Sequence, residues 1–506
     1  MSQKQLKEAF VSNLNGTTLL EISVGFSIAP LCLLCRGLLL ILYYLHYGKP
    51  LSSRKYNLLL DFVVLISPLL FSCTVLSPVI FYIPPVIAAI CAGIFSKIYS
   101  QRKHDSGVSF RQIVNDFQKT YLDPEYIPSI TLFRVYINVL TSISILAVDF
   151  PQYPRQYAKT ETYGTGVMDL GVGAFVFGNA LVCPEVRQKS CATQQKLSFL
   201  TRQVFSIWPL FFLGVGRLVS VKSIEYHEHI SEYGVHWNFF FTLAFVRLAA
   251  SLMLTIFPKS KSWIVAMNLA VFYQLILNIT SLKMFVLYGS NGKDTRVGFL
   301  NANREGLFSL FGYLAIYIAS VQVGLYLLKR RNSVKEWIEA LCSLILMVLV
   351  LFLFLHLSQV HIDPVSRRMA NLPYCLWVLA QCLTFFICFV VIDLMLVFTK
   401  LLVSGASVPC CWNILQPAHS SKKHDTETVP VEGDGKPLHI CLIAAIDKNQ
   451  LLFFLLANVM TGIINIMVDT IHSKTSFTLA VLHLYMFFNC LIMYILHAKN
   501  IILKFW

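Results

Sequence analysis

Apolar residues along this chain come in long blocks separated by short polar seams. A bilayer's hydrocarbon core takes about 20 such residues per helix. By that measure the pattern predicts thirteen spans, at 22–46, 57–81, 84–99, 130–149, 166–183, 203–221, 236–257, 262–286, 306–328, 337–359, 372–399, 449–470 and 475–497. Between the second and third, Pro84-Pro85 predicts a tight turn or a kink. The expected fold is all-α, a polytopic transmembrane helix bundle, with no soluble segment long enough to bury a core of its own. Residues 1–21 form a tail, 22–497 one membrane domain and 498–506 a second tail. Within the domain, the polar segment 404–448 reads as a flexible loop. The first apolar run is too long for a cleavable leader and predicts a retained anchor. No internal repeat is visible, which weighs against the many transporters built from related halves.

The polar seams carry an orientation. Lys and Arg collect after odd-numbered spans, for example Lys49, Arg54 and Lys55, then Arg102, Arg111 and Lys119, then Lys329, Arg330 and Arg331. The seam from Lys222 to Gly234 is acidic on balance, with Glu225, Glu228 and Glu232. By the positive-inside rule the amino terminus is lumenal and the carboxyl terminus cytoplasmic. Asn15-Gly16-Thr17 is a glycosylation sequon on that lumenal tail, so Asn15 is a candidate acceptor.

Composition narrows the classes. Of 506 residues 56% are hydrophobic and 13% charged, which is a membrane protein's balance. The net charge of +15 belongs to loops facing anionic lipid, and without a basic stripe interleaved with aromatics it does not indicate nucleic acid. Most of the fourteen cysteines sit in apolar runs and read as small hydrophobes. Cys410-Cys411 reads as a buried or idle pair ahead of a palmitoylation site. No zinc spacing appears, so no metal or other cofactor is expected.

The candidate chemistry lies in four stretches on the expected lumenal edge: Val148 to Gly178, Glu232 to Thr242, Thr295 to Leu310 and Val365 to Leu372. Asp149 ends an apolar run, where partial desolvation would strengthen a carboxylate as a base. Pro151 and Pro154 then hold the chain extended, and Lys159 follows on the far arm. An Asp–Lys pair there suits proton removal and oxyanion stabilisation, although a plain salt bridge, or Asp149 paired with Arg155, fits the residues alone better. Glu161 completes the ionisable set of the stretch. Asp169 falls inside a predicted span and needs a partner, with Lys159 and Arg217 as the options. Gly164, Gly171 and Gly178, with Gly166 and Gly173, bare one helix face for close packing or for an acyl chain. His236 and Asn238 open the seventh span, the histidine as a second candidate base. Asn301, Asn303, Arg304 and Glu305 cluster at a helix start, Asn303 as a cap and Arg304 as a phosphate or sugar ligand. Arg367, Arg368 and Asn371 offer the same chemistry or headgroup contact.

AVDFPQYPRQYAKTETYGTGVMDLGVGAFVFG, EYGVHWNFFF, RVGFLNANREG and SRRMANL closely resemble the GPI inositol acyltransferase family, and the likeness runs the length of the chain. The resemblance implies a multi-pass enzyme of the endoplasmic reticulum membrane. It implies transfer of a fatty acyl group, typically palmitoyl, from acyl-CoA to the inositol 2-hydroxyl of glucosaminyl-phosphatidylinositol. It also implies that Asp149 and Lys159 carry catalysis, with acyl-CoA as co-substrate. Gln156 stands where members often have a second basic residue. Apart from the resemblance, a lipid or solute transporter would also bury Asp169, Arg217 and Arg304.

Overall fold

The computed structural model describes residues 10, 14–106, 110–187, 196–224, 230–290, 292, 294–403, 405–415 and 441–503. Among these, thirteen helices are long and apolar enough to cross a membrane. They are α1 (Leu19–Tyr47), α2 (Arg54–Ser72), α3 (Ser77–Arg102), α4 (Pro128–Ala147), α5 (Val167–Arg187), α6 (Gln203–Ser220) and α7 (Phe239–Ile256). They continue as α8 (Lys259–Ile279), α9 (Arg304–Leu327), α10 (Val334–His361), α11 (Leu372–Leu402), α12 (Gln450–Met467) and α13 (Thr475–Ala498).

The number of spans agrees with the apolar pattern, but two boundaries move. The eighth span, expected to reach 286, ends at Ile279 ahead of a separate short helix, Leu282–Tyr288. The turn between α2 and α3 lies at residues 73–76, not at Pro84-Pro85. A 3-10 segment, Ser77–Tyr82, opens α3, and regular helix begins at Ile83. The two prolines therefore occupy the first turn, where a missing backbone N–H leaves no bond unmade. Apolar content could not separate a turn from a helix start here, because both sit in one unbroken hydrophobic run.

α4 is the most enclosed span, with 78% of its apolar window buried, and α3 the least, with 11%. α11 packs against α1, α4, α5, α9 and α10, which makes it the bundle's central post. Close approach to α5 depends on Gly173, where a Cβ would meet Val378 Cγ1 at 2.6 Å. The glycine stripe thus serves packing at Gly173, while Gly171 faces open space.

The segment 404–448, expected as one flexible loop, is anchored at both described ends. Ile414–Leu415 pairs antiparallel with Tyr121–Leu122, and Leu442–Lys448 is a helix whose Leu442, Ile443 and Ile446 join the core. Residues 416–440 of that loop lie outside the described residues. Cys411 is buried and Cys410 half-buried, with its Sγ 3.1 Å from that of Cys441.

A buried ion pair holds this end of the bundle. Arg36 Nε of α1 meets Asp61 Oδ1 of α2 at 2.8 Å, both 1% exposed. Arg36 Nη1 also donates to the Pro409 carbonyl, and Asp61 accepts from the Leu442 backbone N–H at 2.9 Å. Neither charge stood out against the apolar runs around it. Asp61→Ala should cost about 3–5 kcal/mol by stranding the Arg36 charge. Thermal unfolding in detergent reads this, and replacing both residues with leucine or methionine should restore most of the loss. An unchanged melting temperature for Asp61→Ala would remove the pair from the account.

Candidate functional site

α4 ends because Pro151 and Pro154 cannot continue it. The turn that follows is closed by Arg155, whose guanidinium donates to the carbonyls of Val148, Phe150 and Tyr153 at 2.8–3.1 Å. Those bonds occupy the arginine with backbone, where the sequence suggested the Asp149 carboxylate. Phe150, Tyr153 and Tyr157 bury their rings beneath the turn, and the Tyr157 hydroxyl donates to Glu21 at 2.6 Å. Residues 14–17 of the tail lie along the far arm, with Glu161 N–H on the Leu14 carbonyl and Thr17 N–H on that of Thr165. Asn15 is exposed beside this contact.

Asp149 is 5% exposed and accepts from Asn465 Nδ2 of α12 at 2.7 Å. Lys159 pairs with Glu232, not with Asp149. Glu232 in turn lies 3.7 Å from Arg367 Nη1, and Arg367 Nε donates to Asp169 at 2.7 Å. The partner of Asp169 is thus Arg367 rather than Lys159 or Arg217. Its carboxylate also accepts from the backbone N–H of Gly166 at 2.9 Å and of Thr160 at 3.2 Å. At the first turn of α5 a carboxylate satisfies exposed N–H groups and suits the helix dipole. Four charges of alternating sign therefore run from Lys159 through Glu232 and Arg367 to Asp169, and they knit three of the four stretches together.

A cleft of about 120 Å³ opens below this chain of charges. Its walls are apolar faces of α4, α5, α7 and α12, and Lys159, Glu232 and Arg217 sit in its lining. Ile137, Thr141 and Ser144 line it from α4, and Asp149 lies in the turn two residues beyond the end of that helix, outside the lining itself. Phe454 and Asn458 line it from α12, and Asn465 lies seven residues on, along the same face. Gly171 borders the cleft and leaves room for a chain.

Most of the remaining candidates build the scaffold. Arg304 is fully buried and donates to the carbonyls of Val286, Thr295 and Asn301 and to Asp294. Its role is to hold the 286–301 loop. Glu305 accepts from Arg368 at 2.8 Å and Arg296 at 2.7 Å. Asn301 donates to the Thr295 carbonyl. Asn303 occupies the N-cap position of α9, but its side chain accepts from the His236 backbone N–H at 2.8 Å instead of capping. That bond ties two loops that sequence order keeps apart. Asn238 and Asn371 do cap, at the starts of α7 and α11. His236 and Arg217 are exposed. No group of three or more His, Cys, Asp or Glu is placed to hold a metal among the described residues.

Residues 3–496 match the GWT1 family. The chain belongs to the GWT1 family. It is 48% identical to glucosaminyl-phosphatidylinositol-acyltransferase PIGW of Bos taurus over 506 residues, the whole of both chains. The protein of that name from Homo sapiens is also 48% identical, over 507 residues and all of both chains. GPI-anchored wall transfer protein 1 of Yarrowia lipolytica is 34% identical over 532 residues, 99% of each.

In this GWT1-family chain the two polar side chains that sequence reasoning missed are Glu232 and Asn465. Glu232 belonged to a quoted stretch, but its acidity was used for orientation. Asn465, inside an apolar run, carried no signal at all. Burial alone would raise the Glu232 carboxyl, but Lys159 and Arg367 beside it hold it down at about 2. Its contribution to stability is present above the ordinary value of 4.5 and is lost as pH falls towards about 2. Glu232→Gln should remove that acid-side loss, so its stability should fall less steeply than wild type between pH 4.5 and 2. Parallel pH–unfolding curves for the two proteins would refute the assignment.

Proposed function

We propose that the cleft beneath Lys159 is where this GWT1-family acyltransferase moves a fatty acyl group onto the inositol of glucosaminyl-phosphatidylinositol. The donor in this reading is acyl-CoA, typically palmitoyl-CoA, and the acceptor atom is the inositol 2-hydroxyl. The single observation that carries it is the junction of an apolar slot with charged groups at one end. A hydrocarbon chain fits such walls, and its reacting carbonyl would lie where the ionisable groups collect.

Asp149 takes the proton from the inositol hydroxyl as its oxygen attacks the thioester carbonyl. Lys159 stabilises the oxyanion of the tetrahedral intermediate. Collapse expels the CoA sulfur, which receives the proton back from Asp149. Asn465 orients Asp149, and Glu232 keeps Lys159 directed at the cleft. Among the described residues no cysteine lines the cleft, and Ser144, which does, has the Tyr153 hydroxyl rather than a base as its side-chain partner, which favours direct transfer over an acyl-enzyme. Arg367 and Asp169 act behind Lys159 and Glu232 as the fixed end of the charge chain.

The lysine and arginine pattern supports a lumenal amino terminus, a cytoplasmic carboxyl terminus and a reaction face on the lumenal side of the endoplasmic reticulum membrane. An exposed Asn15 is then open to glycosylation. The acidic and basic candidates of the second cluster, Glu305 and Arg368, serve the acceptor headgroup at most through the loops they hold.

The test is acyl transfer by purified protein given palmitoyl-CoA and the lipid acceptor. Asp149→Asn and Lys159→Ala should each lower turnover by roughly 10²–10⁴-fold, the usual range for removing a general base or an oxyanion-stabilising group. Near-normal turnover in well-folded variants would overturn the residue roles, and absence of acylated product from wild type would overturn the reaction.

A further inference from the structure

A second cavity, of about 670 Å³, shares no lining residue with the cleft. It is walled by Leu34 and Leu38 of α1, Ala88, Ala92 and Phe95 of α3, and Phe398 of α11, among others. Its size lies within the roughly 300–1,000 Å³ of small-ligand sites. Thr399 supplies the one hydroxyl in an otherwise apolar lining, so water would find almost no partners there. α3 is the least enclosed span, and its Ala88 and Ala92 are exposed. The cavity therefore opens towards the bilayer across methyl-sized side chains, and hydrocarbon is the occupant its surface suits.

Its end is basic. On α3 the face carrying Ala88, Ala92 and Phe95 continues at helical spacing to Tyr99 and Arg102. Arg102 lies about 10 Å beyond Phe95 along the helix axis. Its Nη1 donates to the Leu401 carbonyl at 2.9 Å, which places the guanidinium by the last turn of α11. The short helix Phe110–Lys119 reaches the same end through Phe117, which packs edge-on against Phe398 at 5.3 Å. That helix turns Ile113 inward and exposes Arg111 and Lys119. Exposed Asp116 on the same helix offsets one of these charges, and Lys97, two residues past Phe95, lies on another face of α3. Lys400 of α11 is engaged with the Trp412 carbonyl at 2.8 Å. Among the described residues, Arg102, Arg111 and Lys119 against Asp116 leave the charge at this end positive.

We propose that this cavity takes one acyl chain of an anionic glycerophospholipid, with the lipid phosphate against Arg102 and the 110–119 helix. Basic sites between spans bind anionic headgroups in this way. The chain would fill the gap between α1, α3 and α11 at the end of the bundle opposite Lys159. It is a site for a bilayer lipid, separate from acyl transfer, and it does not depend on the proposed reaction.

The test uses the full-length protein in nanodiscs of phosphatidylcholine doped with phosphatidylserine, followed by native mass spectrometry of retained lipid. Wild type should retain phosphatidylserine in preference to phosphatidylcholine. Ala92→Phe, which fills the cavity, should abolish that retention. Arg102→Gln keeps the cavity and should weaken the preference by about fivefold, the effect of one basic residue near a lipid surface. Equal retention by wild type and Ala92→Phe would overturn the site, because it would mark the lipid as annular. An unchanged preference in Arg102→Gln, or retention of free palmitate in place of phospholipid, would overturn the headgroup assignment.

Discussion

The charges from Lys159 to Asp169 organise one end of this bundle, because a buried charge at a membrane edge must be answered at close range. The four come from three seams: Lys159 and Asp169 from the two ends of the stretch between α4 and α5, Glu232 from the loop before α7 and Arg367 from the loop before α11. Satisfying them together forces those seams to meet. The lysine is left partly exposed at the cleft with Glu232 beside it in the lining, while Arg367 is buried behind the pair. The same arrangement that stabilises the end of the bundle thereby holds Lys159 in place at the mouth of the slot.

A second polar knot does a different job. Arg304, Glu305, Arg368 and Arg296 bind carbonyls and one another, and Asn303 reaches across to the His236 backbone. These groups looked like ligands for phosphate because arginine and asparagine are the residues that recognise it. Burial decides otherwise. A guanidinium whose donors are spent on backbone holds loops in place. At the opposite end Arg36 and Asp61 bind α1, α2 and both ends of the 404–448 segment by the same physics.

The opening stretch, Val148 to Gly178, shows how far residue patterns reach. Its prolines predicted a rigid turn, and the turn is there. Its glycines left packing and chain access both open: Gly173 is a packing contact, and Gly171 faces open space. Its aspartates and lysine were singled out as the edge chemistry, and every one of their partners was misjudged or unnamed. Asp149 meets Asn465, Lys159 meets Glu232 and Asp169 meets Arg367. The separations involved, 316, 73 and 198 residues, lie far outside any local pattern.

What the amino-acid sequence determined by itself was the number of spans, their order, the rigid turn that Pro151 and Pro154 make after α4, and the family. These follow from local properties: apolar length against the thickness of a bilayer, and backbone groups that a nearby side chain either satisfies or cannot. Only the tertiary structure decided which charges pair, which arginines are structural, and which helix faces enclose space. Pairing in a low-dielectric interior is a question of distance between side chains from separate helices. That distance is set by how thirteen spans pack, and no single stretch of the chain contains it.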